Sequence, residues 1–143
     1  MAGKINFYSE DTDFVLDEQD LARTWVSQIA KKYKYTIRQL DYIFCSDEYL
    51  LKLNRDYLKH DELTDIITFP YHDEKERDLF SDIYISVDRV KENATSLGQS
   101  FIDELHRVMI HGVLHMVGFG DKDEVSKTKM RQAEDLALSL RMF

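Results

Sequence analysis

Apolar and polar positions alternate in short stretches along this chain and recur at helical period in longer ones. Ile5 to Tyr8 predicts a short strand. Asp17 stands as an N-cap for a helix to about Tyr33, with Leu21, Trp25, Val26, Ile29 and Ala30 on one face. Ile37 to Cys45 is rich in strand formers, and Ser46 or Asp47 then caps a second helix through about Tyr57. Thr64 to Phe69 predicts a strand ended by Pro70, Tyr71 to Leu79 a charged loop, and Phe80 to Val87 an alternating strand. Asp88 caps a helix to about Leu97, where Gly98 ends it, and Ser100 caps the next, which runs to Val117. Asp123 to Leu140 predicts a last amphipathic helix, with Met130, Ala133, Ala137 and Leu140 inward. The pattern implies an α/β fold of the α+β type, with one sheet of about four strands packed with about five helices. Strand–helix–strand order near the start predicts parallel pairing there. The strands on either side of the charged loop are close enough in sequence to pair antiparallel.

One helix carries the candidate chemistry. Its end and the turn after it read His111-Gly-Val-Leu-His115-Met-Val-Gly118-Phe-Gly-Asp121. Histidines four apart on a helix present both imidazoles on one face, one turn apart. Taken alone the spacing is common in cores and on surfaces. Here Leu105, Val108, Met109, Ile110, Val113, Leu114 and Met116 crowd the pair, and imidazoles among apolar side chains need partners for their nitrogens. A divalent ion is such a partner, and imidazole suits zinc, nickel, copper or iron. Gly118 is placed to end the helix, so that the Asp121 carboxylate can turn back as a third ligand. Three protein ligands leave a fourth position for water, the arrangement of a catalytic zinc. The zincin motif places a glutamate base directly after its first histidine. Gly112 occupies that position, which argues against peptide hydrolysis. Glycine in mid-helix costs about 1 kcal/mol against alanine, and close approach of substrate or another backbone would explain its presence.

These residues resemble the signature of the YbeY family of bacterial endoribonucleases, His-Gly-x-Leu-His-x-x-Gly-Tyr/Phe-Asp-His. His111, Gly112, Leu114, His115, Gly118 and Phe119 match; Gly120 stands for the aspartate and Asp121 for the third histidine. Leu53-Asn54, Tyr57, Asp61 and Thr64-Asp65-Ile66-Ile67-Thr68-Phe69-Pro70 resemble a second family block, and Asp82-Ile83 with Ile85-Ser86 a third, Ser81 replacing its glycine. The matched blocks span Leu53 to Asp121. The resemblance implies a mixed sheet, one zinc ion, and endonucleolytic cleavage of single-stranded RNA in maturation of the 16S ribosomal RNA 3′ end and in ribosome quality control. It implies the small ribosomal subunit as partner, with ribosomal or assembly proteins, and no role for DNA. The family's second block also carries an arginine, regarded as important for cleavage, where this chain has Leu58. Lys59 and His60 are the nearest candidates to supply that cation, though neither is aligned with the arginine.

Composition limits the class. At 143 residues the chain reads as one domain, 1–143, able to bury about 70% of its unfolded surface. No apolar run approaches a membrane span, and the N-terminus lacks a signal-peptide core. The single cysteine, Cys45, excludes an internal disulfide and reads as a small buried hydrophobe. A cytoplasmic protein is expected. The net charge of −8 suits an RNA-binding protein poorly, but residues 1–20 carry −5 of it. In the remainder Lys31, Lys32, Lys34 and Arg38 cluster with no acid between them, either as phosphate contacts or as a solvated helix end.

The other titratable residues have plainer readings. Asp65 and Asp82 sit in or beside strands, flanked by apolar residues, and either turn outward to cap a neighbouring backbone, the plainer reading, or face the cleft. His60 and His72 lie in polar loops. His106 is five residues before His111 and points elsewhere round the helix. Glu104 is seven before it and returns to its face, either to orient a ligand histidine or to favour the helix N-terminus. The function expected is a metal-dependent endoribonuclease in which His111, His115 and Asp121 hold the ion and His111 is essential to catalysis. Two alternatives stand: a metal-dependent hydrolase of another substrate, and a non-catalytic ribosome-assembly factor with a structural metal.

Overall fold

The computed structural model describes residues 4–143. Along the chain run β1 (Lys4–Glu10), α1 (Gln19–Lys32), β2 (Thr36–Cys45), α2 (Asp47–Leu58), β3 (Ile66–Pro70), β4 (Asp78–Ser86), α3 (Val87–Leu97), α4 (Phe101–Met116) and α5 (Glu124–Ser139). The strands form one sheet in the order β1-β2-β4-β3. β1, β2 and β4 are parallel, and the edge strand β3 runs antiparallel to β4. The fold is therefore α/β with a mixed sheet, as expected.

Alternation along the strands gives the sheet two different faces. Leu40, Tyr42 and Phe44 of β2 and Leu79, Ile83 and Ile85 of β4 point into the main core, with Trp25, Val26 and Ile29 of α1, Leu105, Met109 and Leu114 of α4, and Met130 and Ala137 of α5. Fully burying one such leucine or isoleucine stabilises the fold by roughly 1.5–3 kcal/mol. Cys45 and Ile67 point to the opposite face, where α2 covers them with Leu50. The Cys45 thiol donates to the carbonyl of Ile85, and burial pushes its pKa up to about 12, so it is the inert small hydrophobe expected. Two buried polar groups pin helices in place: the Trp25 indole donates to the Ala137 carbonyl at 2.7 Å, and the Tyr42 hydroxyl to the Met109 carbonyl at 3.0 Å.

The sequence expectations differ from this structure at element ends. Asp17 caps nothing; α1 starts after Glu18, whose left-handed backbone (φ 58°) makes the turn without a side-chain cap. β3 starts at Ile66 and includes Pro70, which an edge strand tolerates. β4 starts at Asp78 inside the expected charged loop, because Thr36 of β2 pairs with it and donates its hydroxyl to the Asp78 carboxylate at 2.8 Å. Ser86, not Asp88, caps α3. Asp88 instead accepts from the backbone N–H of Asp47 at 2.9 Å, so it serves the first turn of α2. Leu21 and Leu140, expected inward, are exposed. Among the described residues no helix is long and apolar enough to cross a membrane.

Candidate active site

α4 begins at Ser100, whose hydroxyl accepts from Asp103 N–H, and is apolar nearly all round. It lies against β3, and Gly112 is the point of closest approach. A Cβ on Gly112 would sit 3.0 Å from Ile66 Cδ1 and 3.4 Å from Thr68 Cγ2. The glycine thus admits two side chains of β3, so the close approach expected from sequence is made by side chains of a neighbouring strand.

The helix ends in a Schellman arrangement. Phe119 N–H donates to the Leu114 carbonyl at 3.0 Å and Gly118 N–H to the His115 carbonyl at 3.2 Å. Gly118 has φ +114°, a backbone that side chains rarely adopt. The reversal sends the chain back along the helix. It brings the Phe119 carbonyl to 3.1 Å from His115 Nδ1 and an Asp121 carboxylate oxygen to 3.6 Å from His111 Nε2.

Each histidine is therefore held through Nδ1. His111 Nδ1 lies 2.7 Å from Glu134 Oε2, and Glu134, on the inward face of α5, is only 5% exposed. Its other oxygen accepts from Arg107 at 2.9 Å. The hydrogen bond to Glu134 raises the His111 pKa against the opposing effect of burial, with further help from the charges of Glu134, Asp121 and Asp65. A carboxylate on Nδ1 fixes the tautomer and makes Nε2 the basic, ligand-ready nitrogen.

Sequence reasoning offered Glu104 for this role, and the structure gives it to Glu134. Glu104 is buried, with burial raising its pKa, and its Oε1 has no hydrogen-bond partner. The usable signal was an acid on the stripe of Met130, Ala133 and Ala137 that α5 turns inward.

His111, Gly112, His115, Asp121 and Lys122 form one wall of a cleft of about 480 Å³. Ile66 and Thr68 of β3 form its floor, and the loop between α2 and β3 forms the other wall. Asn54 shapes that loop: buried at the end of α2, it donates to the Glu62 carbonyl at 2.9 Å and accepts from His60 N–H at 3.1 Å. Lys59 makes the turn with a left-handed backbone, and Arg55 pairs with Asp61. The end of α2 presents Leu58 to the cleft, and the loop so held presents His60, Glu62, Thr64 and Asp65.

Asp65 faces inward, contrary to the outward reading. Burial raises its pKa, and Asn93 approaches its carboxylate at 3.4 Å. Asp82 stays outside the cleft and accepts from the Tyr71 hydroxyl. His72 Nδ1 accepts from Phe80 N–H, a structural role.

Of the cations named from sequence, His60 lines the cleft and Lys59 does not. Lys31, Lys32, Lys34 and Arg38 are also outside its lining. The nearest link is Tyr33, which carries Lys32 over its ring and meets Phe119 edge-on at 5.3 Å. Lys122, which the sequence reading passed over, does line the cleft.

The donors suit a zinc-like ion in kind: two imidazoles held by Nδ1 and one carboxylate. The 3.6 Å between His111 Nε2 and Asp121 is close to the edge, about 3.4 Å, of a tetrahedron with bonds of about 2.1 Å. Among the described residues, no group of three or more His, Cys, Asp or Glu side chains is gathered closely enough to hold an ion as it stands. His115, exposed and turned toward the Phe119 carbonyl, shares the cleft wall with the close pair.

The model of the family Endoribonuclease YbeY matches residues 4–140. A Cytophaga hutchinsonii protein named Endoribonuclease YbeY is 52% identical over 139 residues, covering 97% of this chain and 96% of its own length. A Porphyromonas gingivalis protein of the same name is 42% identical, covering 94% of this chain and 88% of its own. The solution structure of a Thermotoga maritima protein superposes with a TM-score of 0.66 over 94% of this chain and 87% of that one, at 24% identity, so the likeness is one of fold. With Asn54 and Thr64 to Thr68 of one matching block and His111, Gly112, His115 and Asp121 of another lining the same cleft, the chain belongs to the Endoribonuclease YbeY family.

Proposed function

We propose that this endoribonuclease cuts single-stranded RNA in the cleft between α4 and the α2–β3 loop, with a zinc ion held by His111, His115 and Asp121. The observation that carries the reading is the pair of Nδ1 hydrogen bonds. Glu134 and the Phe119 carbonyl hold the two imidazoles from behind and leave both Nε2 atoms as the nitrogens for a ligand. When bound, such an ion lowers the pKa of its water toward about 7 and offsets negative charge on a phosphate.

The chain's own groups do the rest. Glu134 keeps the His111 proton on Nδ1 and shares its own charge with Arg107. Of the two further carboxylates lining the cleft, Glu62 and Asp65, Asp65 is the more buried and is held by Asn93, and it accepts the proton of the attacking water. Lys122 and His60, on opposite walls, bind the phosphates flanking the scissile bond. Ile66 and Thr68 of β3 line the cleft beside Gly112 and give the RNA strand apolar contact. Leu58 lines the cleft at the position where the family resemblance implies an arginine. Without that cation, less charge is offset beside the phosphate.

The substrate we assign is 16S ribosomal RNA, in its 3′-end maturation and in ribosome quality control, in the cytoplasm and on the small subunit. The acidic N-terminal stretch opposes affinity for naked RNA, so assembly on the subunit supplies positioning. The test is cleavage by untagged protein of a single-stranded 16S precursor fragment, beside a duplex of the same sequence and a peptide. Cleavage of the single strand alone is expected, and Leu58→Arg should raise its rate. A wild type that binds the fragment but cuts no RNA with any divalent ion would overturn the reading.

A further inference from the structure

Beside the cleft lies a second recess, of about 240 Å³, that none of the chemistry above uses. Leu53, Tyr57, Phe69, Tyr71 and Tyr84 line it. No charged side chain is among them. Tyr57 is 67% exposed and Tyr71 56% exposed, so large aromatic surface is left in water at considerable cost. The rings are held in place. Phe69 meets Tyr57 at 80° with centroids 6.0 Å apart, and meets Tyr84 at 89° and 5.7 Å. The Tyr71 hydroxyl donates to Asp82 at 2.6 Å, and its ring rests against Phe80 at 5.2 Å.

The recess is joined to the cleft through the chain itself. Leu53 is in the recess and Asn54 in the cleft; Tyr57 is in the recess and Leu58 in the cleft; Phe69 is in the recess and Thr68 in the cleft. At three places, one step along the backbone passes from one cavity to the other, round the sheet edge that β3 forms. Because neighbouring strand residues face opposite ways, a polymer lying in the cleft reaches the recess by passing over this edge, at which Ile67 also lines the cleft.

We infer that the recess of Leu53, Tyr57, Phe69, Tyr71 and Tyr84 takes an unpaired nucleobase of the RNA strand whose backbone lies in the cleft. The inference rests on the cleft being the RNA site. Every base has a π face, so stacking on held aromatic rings binds single strands with little sequence preference. A base in a duplex keeps its own stacking partners, so a recess of this kind selects for single strands. The neutral walls fit a base, and the phosphates are left to Lys122 and His60 in the cleft.

The test uses single-stranded RNA hexamers, intact or with one abasic position walked along the strand, and fluorescence anisotropy. Wild type should lose about ten-fold in affinity when the abasic position meets the recess. The double variant Tyr57→Leu, Tyr71→Leu keeps apolar bulk at two exposed positions, and its melting temperature checks the fold. It should bind intact RNA about ten-fold more weakly and show no abasic penalty, while Tyr57→Phe, which keeps the ring and disturbs no hydrogen bond that holds the recess, should behave as wild type. Equal affinity of wild type and the leucine variant overturns the inference and leaves the recess to a protein partner. An abasic penalty that persists in the leucine variant overturns it too. Cleavage separates the two readings. A wild type that cuts RNA indifferently to the leucine changes sinks the recess alone. One that shows the abasic effect but cuts nothing sinks the nuclease reading and keeps the recess.

Discussion

His106 and His111 lie on the same helix, five residues apart, in opposite electrostatic settings. His106 is buried between the rings of Trp25 and Phe143, and its Nδ1 accepts from the Arg141 guanidinium at 2.7 Å. Burial and the Arg141 charge push its pKa down to about 4, against a weaker pull upward from Asp103. His111 is less buried, and its Nδ1 faces a carboxylate, which raises its pKa. The group on Nδ1 decides between them. A cation there uses the imidazole as a neutral acceptor and closes it into the core. A carboxylate there makes Nε2 more basic and presents it to the cleft.

The largest expected effect comes from removing the partner that faces the cleft. His111→Ala should lower RNA cleavage by at least about three orders of magnitude, since it removes a ligand of the proposed electrophile. Its circular dichroism spectrum should be unchanged, because Glu134 retains Arg107. Loss of the folded spectrum would assign His111 to stability instead.

The buried partner should show itself in acid. With an unfolded value near 6.5 and a folded value of about 4, His106 contributes stability that is fully present above about pH 6.5. That contribution is lost as pH falls toward about 4, because the unfolded chain binds the proton first. The loss is on the order of 3 kcal/mol. Urea denaturation at pH 7 and pH 4.5 measures it, and His106→Gln should flatten the difference. An equal pH dependence in the variant would assign the acid sensitivity to other groups.

Changing the carboxylate sharpens the contrast further. Glu134→Gln should weaken zinc binding by about 10- to 100-fold, as outer partners of metal-bound histidines generally do. Chelation should lower the melting temperature of wild type more than that of this variant. If chelation leaves the melting temperature of wild type unchanged, the ion contributes nothing to the folded state.

The smallest effect is expected far from both histidines. Neutralising Lys31, Lys32 and Lys34 together should weaken RNA binding modestly and flatten its salt dependence, since none of them lines the cleft. A change larger than that of Lys122→Gln would move the RNA path onto α1.

Much of this contrast was legible in the sequence, and what was not has identifiable causes. Periodicity and caps gave the strand and helix order, the antiparallel β3–β4 pair and the Ser100 cap, because each depends on neighbours in sequence. The spacing of His111, His115, Gly118 and Asp121 anticipated the reversal that the Schellman hydrogen bonds carry out. Glu134 escaped because it reaches His111 across 23 residues of chain, through the packing of α5 on α4. Asp65 escaped because a carboxylate beside a strand most simply turns outward, whereas the strand begins only at Ile66 and Asp65 is fixed from outside its own segment, its carbonyl accepting from Ser86 N–H and its carboxylate from Asn93. Ser86 and Asp88 are both good capping residues, and the choice between them was made by Asp47 in another helix.

Asp121 is the third ligand of the proposed site, at the position where the family signature places a histidine. Metal content of the untagged protein, measured by plasma mass spectrometry for wild type, Asp121→Asn and Asp123→Asn, tests it most directly. Asp123 is the nearest competing carboxylate, and its side chain already caps α5 by accepting from Ser126 N–H. The prediction is about one zinc per chain in wild type and in Asp123→Asn, and most of it lost in Asp121→Asn. Retention of the metal by Asp121→Asn, with loss in Asp123→Asn, would contradict the assignment.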